Sequence, residues 1–132
     1  MGRIHYAMCS CGDATERVFL GIGLSGDMAT VAGLCSGCKT IQPISVLDDR
    51  APCRQCDGEV IPYWAPGMHD PELNQHIVVD QQLRSSLRGT TKVFDCFQKA
   101  MQLEASLSVE RGLRCPACGQ LTMDLAGIGH WD

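Results

Sequence analysis

The chain has 132 residues, 45% of them hydrophobic and 20% charged, the composition of one globular domain rather than of a disordered segment. Eleven Lys and Arg against fifteen Asp and Glu leave a formal charge of −4, which argues against nucleic-acid binding by bulk electrostatics. Aromatic residues make up only 5%, so a core must lean on aliphatic side chains, and no apolar run reaches the roughly 18 residues of a membrane span.

From the N-terminus, Met1 to Gly12 contains no apolar h-region, so the expectation is no secretory leader, reduced thiols and a cytoplasmic setting. A first close cysteine pair, Cys9-Ser-Cys11-Gly12, leads into a strand-like run ending in Gly21-Ile22-Gly23. Gly21 to Gly26 spells G-x-G-x-x-G, but a dinucleotide fold needs a helix and a returning strand after it. Cys35 and Cys38 arrive nine and twelve residues beyond Gly26, which leaves room for neither, so the run reads as a turn. Next come CSGC at Cys35 and Cys38, followed by KTIQP, and CRQC at Cys53 and Cys56, followed by DGEVIP. Each of these turns precedes a short β-prone run that meets a proline. Fourteen residues separate Cys38 from Cys53, enough for a strand and a return.

From Met68 to Gly112 the texture turns helical. Asp70-Pro71-Glu72 reads as an N-cap, a first-turn proline and an acid at the positive end of the helix dipole. It predicts a helix from Pro71 that stops at Gly89, with the β-branched run Ile77-Val78-Val79 as a competing strand signal. A second helix is predicted over about Thr91–Leu107. At about 100° per residue, Val93, Phe94, Cys96, Phe97, Ala100, Met101, Leu103 and Leu107 share one side. Cys96 lies within that arc as a small buried hydrophobe, not a nucleophile. Arg84, Arg88, Lys92 and Lys99 could form a basic stripe in the one net-positive stretch, residues 80–114, with six Lys/Arg and four Asp/Glu. A solvated helix face explains them more simply. The last cysteine turn, CPACG at Cys115 and Cys118, again precedes a strand-like run ending in Gly-Ile-Gly, at Gly127–Gly129.

Eight of the nine cysteines thus fall in close pairs. Disulfide scaffolds scatter their cysteines, because a bridge gains most by closing a long loop. A C-x-x-C turn instead sets two thiolates one ligand angle apart, and two turns complete a tetrahedron around Zn²⁺ at roughly 2.3 Å per Zn–S bond. The candidate ligands are Cys9, Cys11, Cys35, Cys38, Cys53, Cys56, Cys115 and Cys118, arranged as two four-thiolate sites for two Zn²⁺ ions. Iron uses the same ligand set, and redox-active or disulfide-bonded pairs are a further alternative. Because the first and last turns share the order Cys-Gly, strand, Gly-Ile-Gly, a nested pairing is preferred: 9/11 with 115/118 outside, 35/38 with 53/56 inside. The sequential pairing, 9/11 with 35/38 and 53/56 with 115/118, stays open. His5, His69, His76 and His130 are not needed as ligands. No Ser/His/Asp order or carboxylate pair marks a catalytic centre, so no catalytic residue and no organic cofactor site is assigned.

The CSGC, CRQC and CPACG turns resemble the knuckles of zinc-ribbon, rubredoxin-like proteins. The order of C-x-CG, FLGIG, two C-x-x-C turns, CPACG and GHWD is similar to that of small prokaryotic zinc-ribbon proteins of unassigned function, over residues 1–66 and 113–132. Two features depart from the class: the first turn is C-x-C, and residues 67–112 have no counterpart. The resemblance implies a small metal-stabilised α+β fold of short antiparallel strands. Residues 1–34 and 113–132 would form an outer zinc ribbon, 35–66 an inner one, and 67–112 a helical insertion. Structural zinc supplies folding free energy of order 10 kcal/mol per site in zinc peptides. Each filled four-thiolate site carries −2, taking the chain to a charge of roughly −8. The function expected is a zinc-binding structural or recognition protein that engages a protein partner or a second copy of itself, with no membrane. A nucleic-acid-associated ribbon and a thiol-redox or zinc-responsive regulator are the alternative readings.

Overall fold

The computed structural model describes residues 2–12, 14–21, 29–88 and 97–131, with the backbone alone for 15–17 and 130–131. Each cysteine turn lies at the tip of a β-hairpin. β1 (Gly2–Cys9) and β2 (Ala14–Gly21) flank the first, and β3 (Thr30–Cys35) and β4 (Thr40–Ser45) the second. β5 (Ala51–Pro52) and β6 (Glu59–Pro62) flank the third, β7 (Leu113–Arg114) and β8 (Leu121–Trp131) the fourth. The strands form one sheet in the order β5-β6-β3-β2-β1-β8-β7, with β4 on β3, and every pairing is antiparallel.

The same connectivity occurs twice. In the inner lobe the β3–β4 hairpin meets the β5–β6 hairpin through β3 and β6. In the outer lobe the β1–β2 hairpin meets the β7–β8 hairpin through β1 and β8. In both, the second hairpin opens on a strand of only two residues and is closed by the N–H of its first cysteine. Cys53 donates to the Gly58 carbonyl at 2.9 Å and Cys115 to the Gln120 carbonyl at 2.8 Å, each five residues on. Thr30 of β3 pairs with Gly21 of β2 and joins the lobes edge to edge. The segment after β6 joins them again: Tyr63 Oη donates to the Arg114 carbonyl, and Arg114 N–H to the Met68 carbonyl.

Period-two alternation sets the faces of the sheet. His5, Ala7 and Cys9 of β1 point inward, while Met8 lies on the outer face. The inward face is covered by α2 (Phe97–Leu107) and the segment after it, so that Val18, Leu20, Val31, Leu103, Leu107, Val109 and Met123 belong to one buried cluster. Ala100, Leu103 and Leu107, at helical spacing, turn inward and are buried, but Phe97 and Met101 stay exposed. The apolar stripe of α2 is therefore wider than the core it covers. Thr91, Lys92, Val93, Phe94 and Cys96 lie outside the described residues, as do Gly89 and residues 22–26 of the glycine-rich run.

The helix expected from Pro71 is not formed. Asp70 Oδ1 does accept a backbone N–H, that of Glu72 at 2.9 Å, but the chain then makes turns over 71–76. Buried Asn74 decides this. Its Nδ2 donates to the carbonyls of Asp70 and Arg111, pinning the loop to the segment before β7, and such side-chain bonding competes with a helix. The β-branched run at 77–79 follows in neither helix nor strand, its Val78 N–H donating to the Ser106 carbonyl. Helix α1 (Gln81–Leu87) starts ten residues later than expected, capped by Asp80, whose Oδ1 accepts from the Leu83 N–H.

The solvated-face reading of Arg84 is also overturned. Its side chain is 0% exposed: Nε donates to the Val46 carbonyl, Nη1 to Asp49 Oδ1 at 2.9 Å, and the guanidinium stacks 5.3 Å from the Trp64 ring centroid. The Asp49 carboxylate and the Trp64 ring face offset the buried charge, Nε and Nη1 are paired, and Nη2 has no hydrogen-bond partner among the described residues. Arg88 donates to the Leu47 carbonyl, so the start of the basic stripe holds α1 onto the loop after β4. We expect Leu103→Ala, which empties a fully buried position, to cost about 2–5 kcal/mol of stability. Met101→Ala, on the exposed stripe, should stay within about 0.5 kcal/mol, with denaturant unfolding at constant metal content as the measurement.

Candidate metal centres

The hairpin tips bring the eight paired cysteines into two quartets, Cys9, Cys11, Cys115 and Cys118, and Cys35, Cys38, Cys53 and Cys56. Within each, the sulfurs lie within 4.8 Å of one another. This is the nested grouping, and the sequential one is not formed. It follows from strand pairing: β8 returns antiparallel on β1, which sets Cys9 opposite Met123, while β6 returns on β3, which sets Cys35 opposite Val60.

The spacings suit a metal. A tetrahedron with bonds of about 2.3 Å has edges of roughly 3.8 Å. Across the outer knuckles Cys9 and Cys118 lie 3.7 Å apart and Cys11 and Cys115 3.6 Å. Across the inner ones the separations are 3.5 Å for Cys35–Cys56 and 3.6 Å for Cys38–Cys53. None of the eight is bridged to another. Each quartet could therefore hold one metal ion.

Polar groups around the sulfurs complete each site. At the inner one, Thr40 and Gln42, two apart on β4, face the cluster together. The Thr40 hydroxyl lies 3.1 Å from Cys38 Sγ, and Gln42 Nε2 donates to Cys53 Sγ at 3.0 Å and to Thr40 Oγ1 at 2.7 Å. The N–H groups of Gln55 and Gly58 donate to Cys53 and Cys56. At the outer site the Thr122 hydroxyl lies 3.2 Å from Cys9 Sγ, and the Cys118 N–H donates to Cys115 Sγ. Such partners orient ligands and favour their anionic form.

Crowding splits the thiols within each quartet. The Cys11 backbone N–H and the Thr122 hydroxyl draw Cys9 down from 9.0 to about 6, against the cost of burial. Burial and the neighbouring Cys11 sulfur push Cys115 up to about 12, against the N–H groups of Cys118 and Ala117. Cys53 falls to about 6 through the Gln55 N–H and Gln42. At Cys56 the Gly58 N–H favours the thiolate, but the Cys35 sulfur and burial outweigh it and raise the thiol to about 12. One sulfur in each set is thus drawn toward its thiolate by neighbouring donors, while another is held as a thiol by burial and an adjacent sulfur.

The two sites differ in cover. Cys11 and Cys118 are exposed, one from each outer knuckle, whereas inner Cys38 and Cys56 are half-buried. A Cβ on Gly37 would lie 3.2 Å from Cys56 Sγ, and one on Gly58 3.2 Å and 3.3 Å from Cys56 and Cys35 Sγ. These glycines let the two inner loops close over their sulfurs. A Cβ on Gly12 or Gly119, beside the outer knuckles, would meet nothing within 4 Å.

No family model, no curated protein and no solved structure matches this chain.

Among the described residues no histidine joins either quartet. His69 donates through Nδ1 to the Tyr63 carbonyl at 2.6 Å and His76 through Nε2 to the Ser108 carbonyl at 2.7 Å, so both serve as loop ties. His5 is buried, its Nε2 4.0 Å from Glu110, and burial lowers its pKa. The side chain of His130 lies outside the description. Among the described residues, no helix is long and apolar enough to cross a membrane. Sequence reasoning missed Thr40, Gln42 and Thr122; the period-two pair after the CSGC knuckle carried a signal for the first two, since a strand leaving a knuckle points alternate residues back at it. We expect Cys115→Ser to remove metal from the outer site alone. Mass-spectrometric mapping of alkylated cysteines should then show Cys9, Cys11 and Cys118 labelled, with Cys53 and Cys56 still protected; the reverse pattern would overturn the nested grouping. Gly58→Ala, with no ligand changed, should weaken the inner site through its contact with two sulfurs, read as lost metal occupancy.

Proposed function

We propose that this chain is a structural and recognition protein built on two zinc ribbons, each holding one Zn²⁺ in a shell of four cysteines and together presenting a surface to a protein partner. The observation that carries this is the repeated architecture: two four-sulfur groups with near-tetrahedral edges, each at the junction of two hairpins of one connectivity. Bound zinc would neutralise part of the thiolate charge and tie together hairpins distant in sequence, which is folding free energy. A complete four-cysteine shell leaves no water position, so a hydrolytic role for either metal is disfavoured. The proposed lobes follow the ribbons, with residues 67–112 as an insertion that covers the inward face of the sheet.

Exposed apolar side chains support a protein partner or a second copy. Met8 and Ile128 lie exposed on neighbouring strands β1 and β8, and Phe97 and Met101 on α2. Nucleic acid is less suited: the chain is acidic and Arg84, at the head of the supposed stripe, is wholly buried.

Native mass spectrometry with elemental analysis tests the reading: two zinc ions per chain are expected, and a folded protein with fewer overturns it. The same spectra give the oligomeric state, and if α2 forms the contact, Met101→Ser should shift dimer to monomer. Acid should release the metal. Protons compete with the metal for every thiolate ligand, so a chromophoric chelator should take up progressively more metal as the pH is lowered from neutrality.

A further inference from the structure

We propose that the two quartets divide their labour: the inner one holds its metal permanently, and the outer one exchanges metal with a soft, thiolate-bearing acceptor or donor. This rests on the reading that both quartets hold metal.

Three observations support it. The first is access. Cys11 and Cys118 are both exposed and come from opposite knuckles of the outer site, so an incoming ligand meets sulfur directly. The open space beside Gly12 and Gly119 leaves that approach clear, whereas Gly37 and Gly58 seat the inner loops against the inner sulfurs.

The second is what holds each lobe when a ligand lets go. β1 pairs with β8 from Gly2↔Trp131 to Cys9↔Met123, a ladder along the whole of β1. β3 pairs with β6 over three residues, from Gly33↔Pro62 to Cys35↔Val60, with the Tyr63 N–H donating to the Ala32 carbonyl beyond them, while the second hairpin of each lobe, β5–β6 and β7–β8 alike, pairs over two residues. The outer hairpins stay joined by backbone hydrogen bonds if their sulfurs are released. The inner hairpins depend far more on a shared metal. Exchange without unfolding is therefore possible at the outer site.

The third concerns the chemistry of the visitor. A site made only of sulfur favours soft ions, and a ligand that replaces one of its sulfurs at little cost is another thiolate. Arg114 donates from Nη1 to the Gly119 carbonyl at 2.7 Å and from Nη2 to that of Gly67, which fixes a guanidinium beside the second outer knuckle. There it offsets the −2 of a filled quartet and admits an anionic sulfur.

Balance is simple. The acceptor's sulfur forms one bond to the ion as the bond from Cys11 or Cys118 breaks, and the released cysteine takes up the proton that the acceptor's thiol gave up. No electrons move.

The test uses the full chain loaded with two equivalents of Zn²⁺ and, as acceptor, a metal-free synthetic zinc-finger peptide with four cysteine ligands. Native mass spectrometry follows the metal count over time. One equivalent should transfer about ten-fold or more faster than the other, the low end of what a site's outer partners contribute to metal affinity. Alkylation during the plateau should label Cys9, Cys11, Cys115 and Cys118 and spare Cys35, Cys38, Cys53 and Cys56, which needs no variant to fold. Cys118→Ser should abolish the fast phase and keep the slow one. Transfer of both equivalents at one rate, or labelling of the inner set first, would overturn the division of labour while leaving two metal sites standing. A chain that never carries two metals would overturn the reading beneath it.

Discussion

Each group of four sulfurs, held 3.5 to 3.7 Å from their neighbours across a pair of loops, could hold a metal ion, and as thiolates they would need such a cation to offset their repulsion. That constraint organises this protein. Each quartet gathers two hairpin tips, brought together by the pairing of β1 with β8 in one lobe and of β3 with β6 in the other. Within each quartet, backbone and side-chain donors draw one thiol down to about 6, and burial with an adjacent sulfur raises another to about 12.

The two quartets are versions of one design. In each, a full hairpin meets a second hairpin that opens on a two-residue strand, and the first strand of the former pairs with the last strand of the latter. One version sits inside the other, so the outer lobe must close over the whole inner lobe and the helical segment. The entropy of that closure grows slowly with the length enclosed, which makes such nesting tolerable. The long β1–β8 ladder stabilises the closure independently of sulfur. The inner lobe, whose two hairpins meet over three paired residues, instead encloses its sulfurs under Gly37 and Gly58 and lines them with Thr40 and Gln42.

The helical segment serves this frame. Buried Leu103 and Leu107 cover the inward face of the sheet, and Asn74 and Arg84 tie its loops to carbonyls far along the chain. These two polar anchors misled a local reading. Asn74 sits within an apparent helix start at Asp70-Pro71-Glu72 but spends its amide on Asp70 and Arg111, and Arg84 looks like one charge in a basic stripe but lies beneath Trp64 and against Val46. Each is placed by a partner more than thirty residues away, beyond the reach of periodicity or capping rules.

Spacing alone determined that eight cysteines would act in pairs, because a two-cysteine turn is a local object whose geometry follows from a few residues. Likeness between the first and last turns also favoured the nested grouping, and the strands after each knuckle could be read from their β-prone runs. Of the arc expected on the second helix, the inward-facing Ala100, Leu103 and Leu107 were legible for the same local reason, whereas Phe97 and Met101 proved exposed. Only the tertiary structure decided that the sulfurs converge across the chain, that one site is covered and the other open, and that Asn74 and Arg84 are anchors. Those outcomes depend on strand register and on contacts between distant segments, where each residue's surroundings are set by the fold and not by its neighbours in sequence.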